Sequence, residues 1–272
     1  MKIIQIRNTG IGGAVMQFKK KRQENDCEII EVKCPFCQSA LKVPVRSYIS
    51  AQKDLSFKIE AMLGKLFHPS CPVCGSQVPV SRFLAYEDRE NRSVIYFEPD
   101  PANEKQLRKT LEKRKEEAGC VFRKVRYRIC RTQQDFYEKI RILDCSLDDR
   151  IVEIMKLCII HYFKSQRSLL IQNIRFHIRK DRPVFRIQLE NADGYFSFST
   201  EDYSALRDSL NCVEKEFSGF DRFSYLVNQD WAARALLRIQ EKFFDLSCIP
   251  DCAENDPDED LLIKSEEYLY SA

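Results

Sequence analysis

Two pairs of cysteines have the spacing expected of metal ligands or of a redox centre. They occur as Cys34-Pro35-Phe36-Cys37 and Cys71-Pro72-Val73-Cys74. Two residues between cysteines allow a tight turn to direct both sulfurs at one point, and two such turns can place four sulfurs about 2.3 Å from a zinc ion. The sequence therefore predicts one structural zinc ion per chain, with Cys34, Cys37, Cys71 and Cys74 as ligands. Because four sulfurs fill the coordination shell, such a centre does not imply catalysis.

A redox function is the alternative explanation for these pairs, since the chain contains 12 cysteines. The C-P-F-C sequence is similar to the active-site motif of glutaredoxin-type oxidoreductases, which requires its first cysteine at a helix N-terminus. Residues 38–45 alternate like a strand instead and include Pro44, which disfavours that chemistry. Two further possibilities stay open, namely His68 as a substitute ligand and a separate metal site at Cys248 and Cys252.

No arrangement of side chains predicts a reaction, so the question whether the chain is an enzyme stays open, with a non-catalytic role favoured. The 3 histidines are far apart in the sequence, and the Asp148-Asp149 pair is explained by a capping box that begins at Ser146. No apolar run approaches the roughly 18 residues of a membrane span. Charges near Met1 stand where a signal peptide would be apolar, which predicts a cytoplasmic protein without a membrane partner.

The elements that must position the cysteines predict an α+β fold. Short alternating strands surround the two pairs, and a helix at residues 53–67 accounts for the unusual length between them. Residues 1–100 are therefore predicted to form a zinc-ribbon-like N-terminal module with an inserted helix, in which four cysteines bind the zinc ion. The glycines of the sequence form no phosphate-binding loop, because no Gly-Lys-Ser/Thr follows them.

The rest of the chain is predicted to form a connector, a second domain and a tail. Residues 101–119 form a charged helix whose only large apolar residues are Leu107 and Leu111, which predicts an exposed connector. Residues 120–250 form an α+β domain with a basic strand, amphipathic helices and an antiparallel meander. Residues 251–272 are acidic and are predicted to be flexible.

Residues 34–99 resemble the CpXC domain, a bacterial and archaeal family named for its two C-P-x-C motifs. The resemblance depends on four blocks beyond the first pair: Gly64-Lys65-Leu66-Phe67, Cys71-Pro72-Val73-Cys74-Gly75, Leu84-Ala85-Tyr86-Glu87-Asp88 and Ile95-Tyr96-Phe97-Glu98-Pro99. Residues 138–150 are similar to the part that often accompanies this domain. The resemblance implies a metal role for the four cysteines and supplies no activity. Gln38 departs from the family pattern, which commonly has glycine after the first pair.

The distribution of charge leaves two kinds of partner open. Residues 101–131 hold 11 basic and 4 acidic groups, whereas residues 200–272 hold 7 and 17. A non-catalytic binding or scaffold protein that mediates protein–protein interaction is the leading prediction. The alternative is nucleic-acid binding through residues 19–22 and 123–131, with Lys124, Arg126 and Arg128 aligned on one strand face. Neutralisation of these charges by the acidic C-terminal segment would explain them without nucleic acid. The sequence does not predict an oligomeric state.

Overall fold

A computed structural model describes residues 27–118, 124–166, 169–190, 192–220 and 224–243. These residues contain six helices and three sheets, which confirms the predicted α+β class. The chain divides into two compact units, with the division between Ile140 and Arg141. Among the described residues, no helix combines the length and apolar character needed to cross a membrane.

A β-hairpin carries the first cysteine pair. Strand β1 (Cys27–Lys33) pairs in antiparallel fashion with β2 (Ala40–Arg46), so that Val32 lies opposite Leu41. Alternate residues of both strands point to one side and bury a small apolar core, as the period of two requires. Its aliphatic members are Ile30, Val32, Leu41, Val43, Val78 and Val80. This core lies directly behind the cysteines, because Cys34 and Cys71 belong to the same cluster.

A mixed four-stranded sheet completes the strands of the first unit. It contains β3 (Tyr48–Ser50), β4 (Leu84–Asp88), β5 (Ser93–Phe97) and β6 (Arg126–Cys130), in that order. The central pair β4–β5 is antiparallel, whereas each outer strand runs parallel to its neighbour. Helix α1 (Leu55–Met62) follows β3 and is shorter than the predicted helix at residues 53–67.

An aromatic cluster holds the chain just before the second cysteine pair. Phe67 lies 4.7 Å from Phe97 between ring centroids, and 5.7 Å from both Phe136 and Tyr137. The amide of Phe67 also donates a hydrogen bond to the Tyr137 hydroxyl at 3.1 Å. Residues 136 and 137 belong to helix α3 (Gln133–Asp144), so this helix helps to position the approach to Cys71.

Helix α2 (Pro101–Ala118) differs from the exposed connector that the sequence predicts. Leu107 and Leu111 are 3 % and 1 % exposed. Glu104, one turn before Leu107, is also buried. Glu104 forms an ion pair with Arg131, which follows β6. Two leucines one helical turn apart thus bury one side of a helix that is otherwise charged.

The division into units also differs from the predicted domain boundary at residues 101–119. Strand β6 pairs with β5, with Phe97 opposite Cys130, and it therefore belongs to the four-stranded sheet of the first unit. The sequence placed this basic strand in the second domain because such a parallel pairing joins residues about 30 positions apart and leaves no local signal.

The second unit packs three helices on a three-stranded meander. The helices are α4 (Asp149–Gln166), α5 (Thr200–Glu216) and α6 (Gln229–Phe243), and the strands are β7 (Asn173–Arg179), β8 (Arg182–Gln188) and β9 (Asp193–Phe196). The antiparallel order β7-β8-β9 confirms the predicted meander. One apolar core joins these elements and contains Trp231, the only tryptophan of the chain.

The start of helix α4 corrects a detail of the sequence analysis. Ser146 does not cap the helix, and its backbone has a φ of 57°. The Asp148 carboxylate instead accepts a hydrogen bond from the amide of Arg150 at 3.0 Å. Asp148 therefore supplies the cap, which still accounts for the acidic pair without chemistry. At helix α5, Ser199 Oγ accepts from the amide of Asp202 as the sequence predicts.

Candidate metal centre

Four cysteine sulfurs converge at the end of the hairpin. The sulfurs of Cys34, Cys37, Cys71 and Cys74 all lie within 4.8 Å of one another. Cys34 Sγ is 3.6 Å from Cys74 Sγ, and Cys37 Sγ is 3.7 Å from Cys71 Sγ. A tetrahedron with vertices about 2.3 Å from its centre has edges of about 3.8 Å, so these sulfurs are spaced to hold a metal ion. A disulfide, at about 2.05 Å, is excluded for these four thiols.

Each cysteine pair lies in a turn with the same hydrogen bonds. In the first cysteine turn (residues 34–39), the Cys34 amide donates to Ser39 O at 2.9 Å and the Gln38 amide to Cys34 O at 3.0 Å. In the second cysteine turn (residues 71–76), Cys71 donates to Ser76 O and Gly75 to Cys71 O, both at 2.8 Å. The hairpin closes the first turn, and an isolated bridge between Ser70 and Gln77 closes the second.

The residue after each pair adopts the left-handed backbone conformation. Gly75 has a φ of 74°, which glycine adopts at little cost. Gln38 has a φ of 62° at the equivalent position. The first turn therefore keeps the same backbone geometry although glutamine stands where the family commonly has glycine. The Gln38 side chain donates a hydrogen bond to Pro35 O at 3.2 Å, which partly offsets the strain of a side chain in this conformation.

Ser39 and Ser76 interact with the second cysteine of each pair, a role that the sequence analysis missed. Ser39 Oγ lies 3.3 Å from Cys37 Sγ, and the hydroxyl and amide of Ser39 lower the pKa of Cys37 to about 6. The hydroxyl and amide of Ser76 lower the pKa of Cys74 in the same way. Hydrogen bonds that favour a thiolate favour metal binding, because the thiolate is the ligand. The shared offset, two residues after each pair, is the signal that could have identified them.

The first cysteine of each pair is buried and the second is more accessible. Cys34 and Cys71 are 0 % and 2 % exposed, whereas Cys37 is half-buried and Cys74 is exposed. The backbone amides of Cys74 and Val73 lower the pKa of Cys71, but burial and the neighbouring thiols raise it to about 11 in the absence of an ion. The centre is therefore attached to the small apolar core on one side and opens to solvent on the other.

The backbone around the first pair has none of the geometry that the redox alternative requires. No helix of the described residues begins at Cys34 or Cys37, and β2 follows the turn directly. The dipole that would activate a single cysteine is therefore missing from this turn. His68 is half-buried before the second pair, and the four-cysteine cluster forms without it.

The predicted nucleic-acid residues do not form an exposed row in this structure. Lys124 is exposed and Arg126 is half-buried, but Arg128 is 1 % exposed and donates a hydrogen bond to Tyr127 O at 3.0 Å. Parallel pairing on β5 places Arg128 in the interior of the first unit, where a phosphate could not reach it. Residues 19–22, Arg123, the Cys248–Cys252 pair and the predicted tail lie outside the described residues.

Two apolar side chains project from the cysteine turns themselves. Phe36 is 65 % exposed and Val73 is 68 % exposed, and each is the third residue of its C-P-x-C motif. Single exposed apolar residues are ordinary on protein surfaces. Here the two stand at equivalent positions of both turns, so an ion bound by the cysteines would fix both side chains beside it.

Comparison with known proteins agrees with the motif-based resemblance. The model of a family described as CpXC protein matches residues 32–156 of this chain. This match confirms the predicted resemblance and extends it through the first half of helix α4. No significant match was found among curated proteins or among solved structures.

Proposed function

We propose that this chain, with its CpXC segment at residues 32–156, is a non-catalytic scaffold in which one zinc ion stabilises a protein-binding surface. Four thiolates at tetrahedral spacing suit zinc, which prefers sulfur ligands and four-coordination in structural sites. A shell of four sulfurs leaves no position for a substrate or water, which supports a structural role.

The exposure of Phe36 and Val73 is the observation that supports protein binding. Apolar and aromatic side chains that project from a rigid support lose little conformational entropy when a partner covers them. The metal provides that support, since each side chain is tied through its neighbours to two sulfurs of the centre. The surface defined by Phe36 and Val73 is therefore the proposed contact for a partner protein.

Elemental analysis of protein purified without a histidine tag tests the metal. We expect one zinc ion per chain, and we expect Cys71→Ser to lose most of it, because three ligands bind more weakly than four. Cys145→Ser, which changes a half-buried cysteine of the second unit, is the matched control and should keep its zinc. Protein that contains no thiophilic metal after reducing purification would contradict the proposal.

Affinity capture from the native host tests the surface. Phe36→Ser/Val73→Ser should keep the zinc ion but lose a partner that wild-type protein retains. Leu170→Ser/Leu237→Ser removes two apolar side chains that are 72 % and 58 % exposed in the second unit, and it should keep the partner. Loss of the partner from both double variants would mean that the capture depends on non-specific hydrophobic binding and not on the surface defined by Phe36 and Val73.

A further inference from the structure

The sheet of the second unit has an arginine-rich face on the side away from its core. Phe176 of β7 and Phe185 of β8 point into the apolar core, so the residues that alternate with them point outward. The outward side chains include one histidine, one tyrosine and four arginines. We call this surface the arginine face and define it by Arg175, His177, Arg179, Arg182, Arg186 and Tyr195.

The arginines of this face stand directly opposite one another. The register of β7 and β8 places Arg175 opposite Arg186 and Arg179 opposite Arg182. Like charges directly opposite across an antiparallel pair destabilise a sheet. Arg186 has a carboxylate partner in Asp193, so the repulsion that an external anion could relieve is that between Arg179 and Arg182.

The acidic groups of the meander only partly balance these charges. Asp193 forms an ion pair with Arg186, and it is the one carboxylate on the arginine face among the described strand residues. Asp181 and Glu190 lie in the turns at the two ends of β8, beyond the face itself, and Asp181 is adjacent to Lys180. Arg175 has an interaction partner of its own, so the positive charge of the face depends on Arg179 and Arg182, with Arg141 as a further cation near His177.

Two aromatic rings lie among the arginines. The Arg179 guanidinium is 4.5 Å from the centroid of the Tyr195 ring, and the His177 ring is 6.0 Å from the same centroid. Burial and the positive charges of Arg141, Arg186 and Arg179 lower the pKa of His177. The imidazole is therefore mostly neutral near pH 7. Its plane is tilted by 37° from that of Tyr195, so the two rings do not form one continuous flat surface.

We propose that the arginine face binds single-stranded nucleic acid, with the arginines on phosphates and the ring of Tyr195 beneath a base. Arginine matches phosphate with a planar fork of donors, and all four cations on the face are arginine. Bases stack on a flat aromatic surface only when they are not stacked within a duplex, which selects a single strand. The proposal is independent of the metal centre and of residues 123–131.

Fluorescence anisotropy with the full-length, metal-loaded chain tests this proposal. The probes are fluorescein-labelled oligonucleotides of about 12 thymidines, about 12 uridines and a duplex of equal length. We expect both single strands to bind more tightly than the duplex, and the tighter of the two identifies DNA or RNA as the ligand. We also expect affinity to fall between 50 and 150 mM salt, because roughly 0.7 counterions are released for each phosphate contact on a single strand.

Charge reversal of one opposed pair supplies the first set of variants. Arg179→Glu/Arg182→Glu should weaken single-strand binding by about 10-fold or more and reduce the slope of log affinity against log salt by about 1.4. Arg207→Glu/Arg234→Glu makes the same change in charge at two exposed positions of α5 and α6, and it should alter affinity by less than about 2-fold. Arg182→Thr should leave the thermal midpoint unchanged or raised, since it removes a like-charge contact.

Removal of a ring supplies the second set. Tyr195→Ala should weaken binding by about 5-fold or more, and Tyr195→Phe should retain it, because stacking requires the ring and not the hydroxyl. Unchanged Trp231 fluorescence would show that each variant is folded, since Trp231 lies in the core of the same unit. Equal losses in the Arg207/Arg234 control, tighter binding of the duplex, or unaltered affinity on charge reversal would each overturn the proposal. So would binding of a synthetic acidic peptide of residues 251–272 without binding of either single strand.

Discussion

Gln38 and Gly75 occupy one position in two equivalent turns, yet only one of them is glycine. Both have left-handed backbone, at φ values of 62° and 74°. No atom lies within 4 Å of a Cβ placed on Gly75, so a side chain there would meet backbone strain and no steric clash. The pair therefore isolates the conformational cost of this position from packing.

We predict that Gly75→Gln lowers the free energy of unfolding by about 1 kcal/mol, since a side chain in this conformation costs roughly 1–2 kcal/mol. Gln38→Gly should raise it by less, because glycine gains entropy in the unfolded chain and the hydrogen bond to Pro35 O is lost. Thermal unfolding of the metal-loaded protein measures both changes. A stabilising Gly75→Gln would contradict the equivalence of the two turns.

Ser39 and Ser76 give the centre a second set of contacts beyond its ligands. We predict that Ser39→Ala/Ser76→Ala lowers zinc affinity by about 10-fold, because each alanine removes a hydroxyl that stabilises a thiolate. Competition with a chromophoric chelator at fixed pH measures the affinity. Ser56→Ala, at an exposed position of α1, is the control and should bind zinc as tightly as wild-type protein. Equal affinity of the double variant and this control would show that the hydroxyls play no part.

Glu98 is a buried carboxyl that makes stability depend on pH. It is 2 % exposed, and its Oε1 accepts a hydrogen bond from the amide of Asp100 at 3.1 Å. Burial, with the nearby negative charges of Asp100 and Glu104, raises the pKa of Glu98 from 4.5 to about 6. The folded chain therefore holds this proton more tightly than the unfolded chain does.

Because the folded pKa is raised, this contribution to stability is complete below about pH 4.5 and is lost as the pH rises through about 6. We predict that the free energy of unfolding of Glu98→Gln rises relative to that of wild-type protein as the pH increases through this window, by up to about 2 kcal/mol at pH 8. Urea unfolding at several pH values tests this. Glu90→Gln, at an exposed turn, should show no such trend, and a parallel pH dependence in wild type and Glu98→Gln would refute the assignment.

At the scale of elements, helix α2 is the clearest case of a segment that packs where its composition predicts exposure. We predict that Leu111→Ala lowers the free energy of unfolding by about 2–5 kcal/mol, because it leaves a cavity at a position that is 1 % exposed. Limited proteolysis should then cut the helix in the variant faster than in wild-type protein. Lys109→Ala changes an exposed residue of the same helix and should leave cleavage unchanged. Rapid cleavage of the helix in wild-type protein would contradict its burial and would favour the exposed connector that the sequence predicts.

Local sequence patterns predict most of the helices and strands. They do not predict which strands pair or which side chains are buried by residues distant in the sequence. The cysteine turns and the meander were predictable because their signals, two-residue spacing and alternation, lie within a few residues. The burial of Leu107 and of Arg128 depends on what the fold brings against them, which a single sequence does not encode locally. The arginine face was also invisible, because Arg179 and Arg182 become partners only when the register of β7 and β8 is known.

At the scale of the whole molecule, Cys34 and Cys71 belong to the small apolar core behind the hairpin, whereas Trp231 belongs to the apolar core of the second unit. We predict that a strong chelator removes the hydrogen-exchange protection of β1 and β2, since the free energy of metal binding is free energy of folding for that hairpin. Trp231 fluorescence should stay unchanged, because this residue is 2 % exposed in the second unit. Simultaneous loss of both signals would show that removal of the metal unfolds the second unit as well.

The separation of the two cysteine turns along the chain has a consequence for synthesis. The ribosome must add 37 residues after Cys37 before Cys74 exists. At about 5–20 residues per second, this interval lasts roughly 2–7 s. During it the nascent chain carries one half of a coordination shell, whose two thiols can bind a metal only weakly and are open to oxidation. The complete site can form only after Cys74 has been added, so oxidation of Cys34 and Cys37 within this interval would leave only two of the four ligands for the ion.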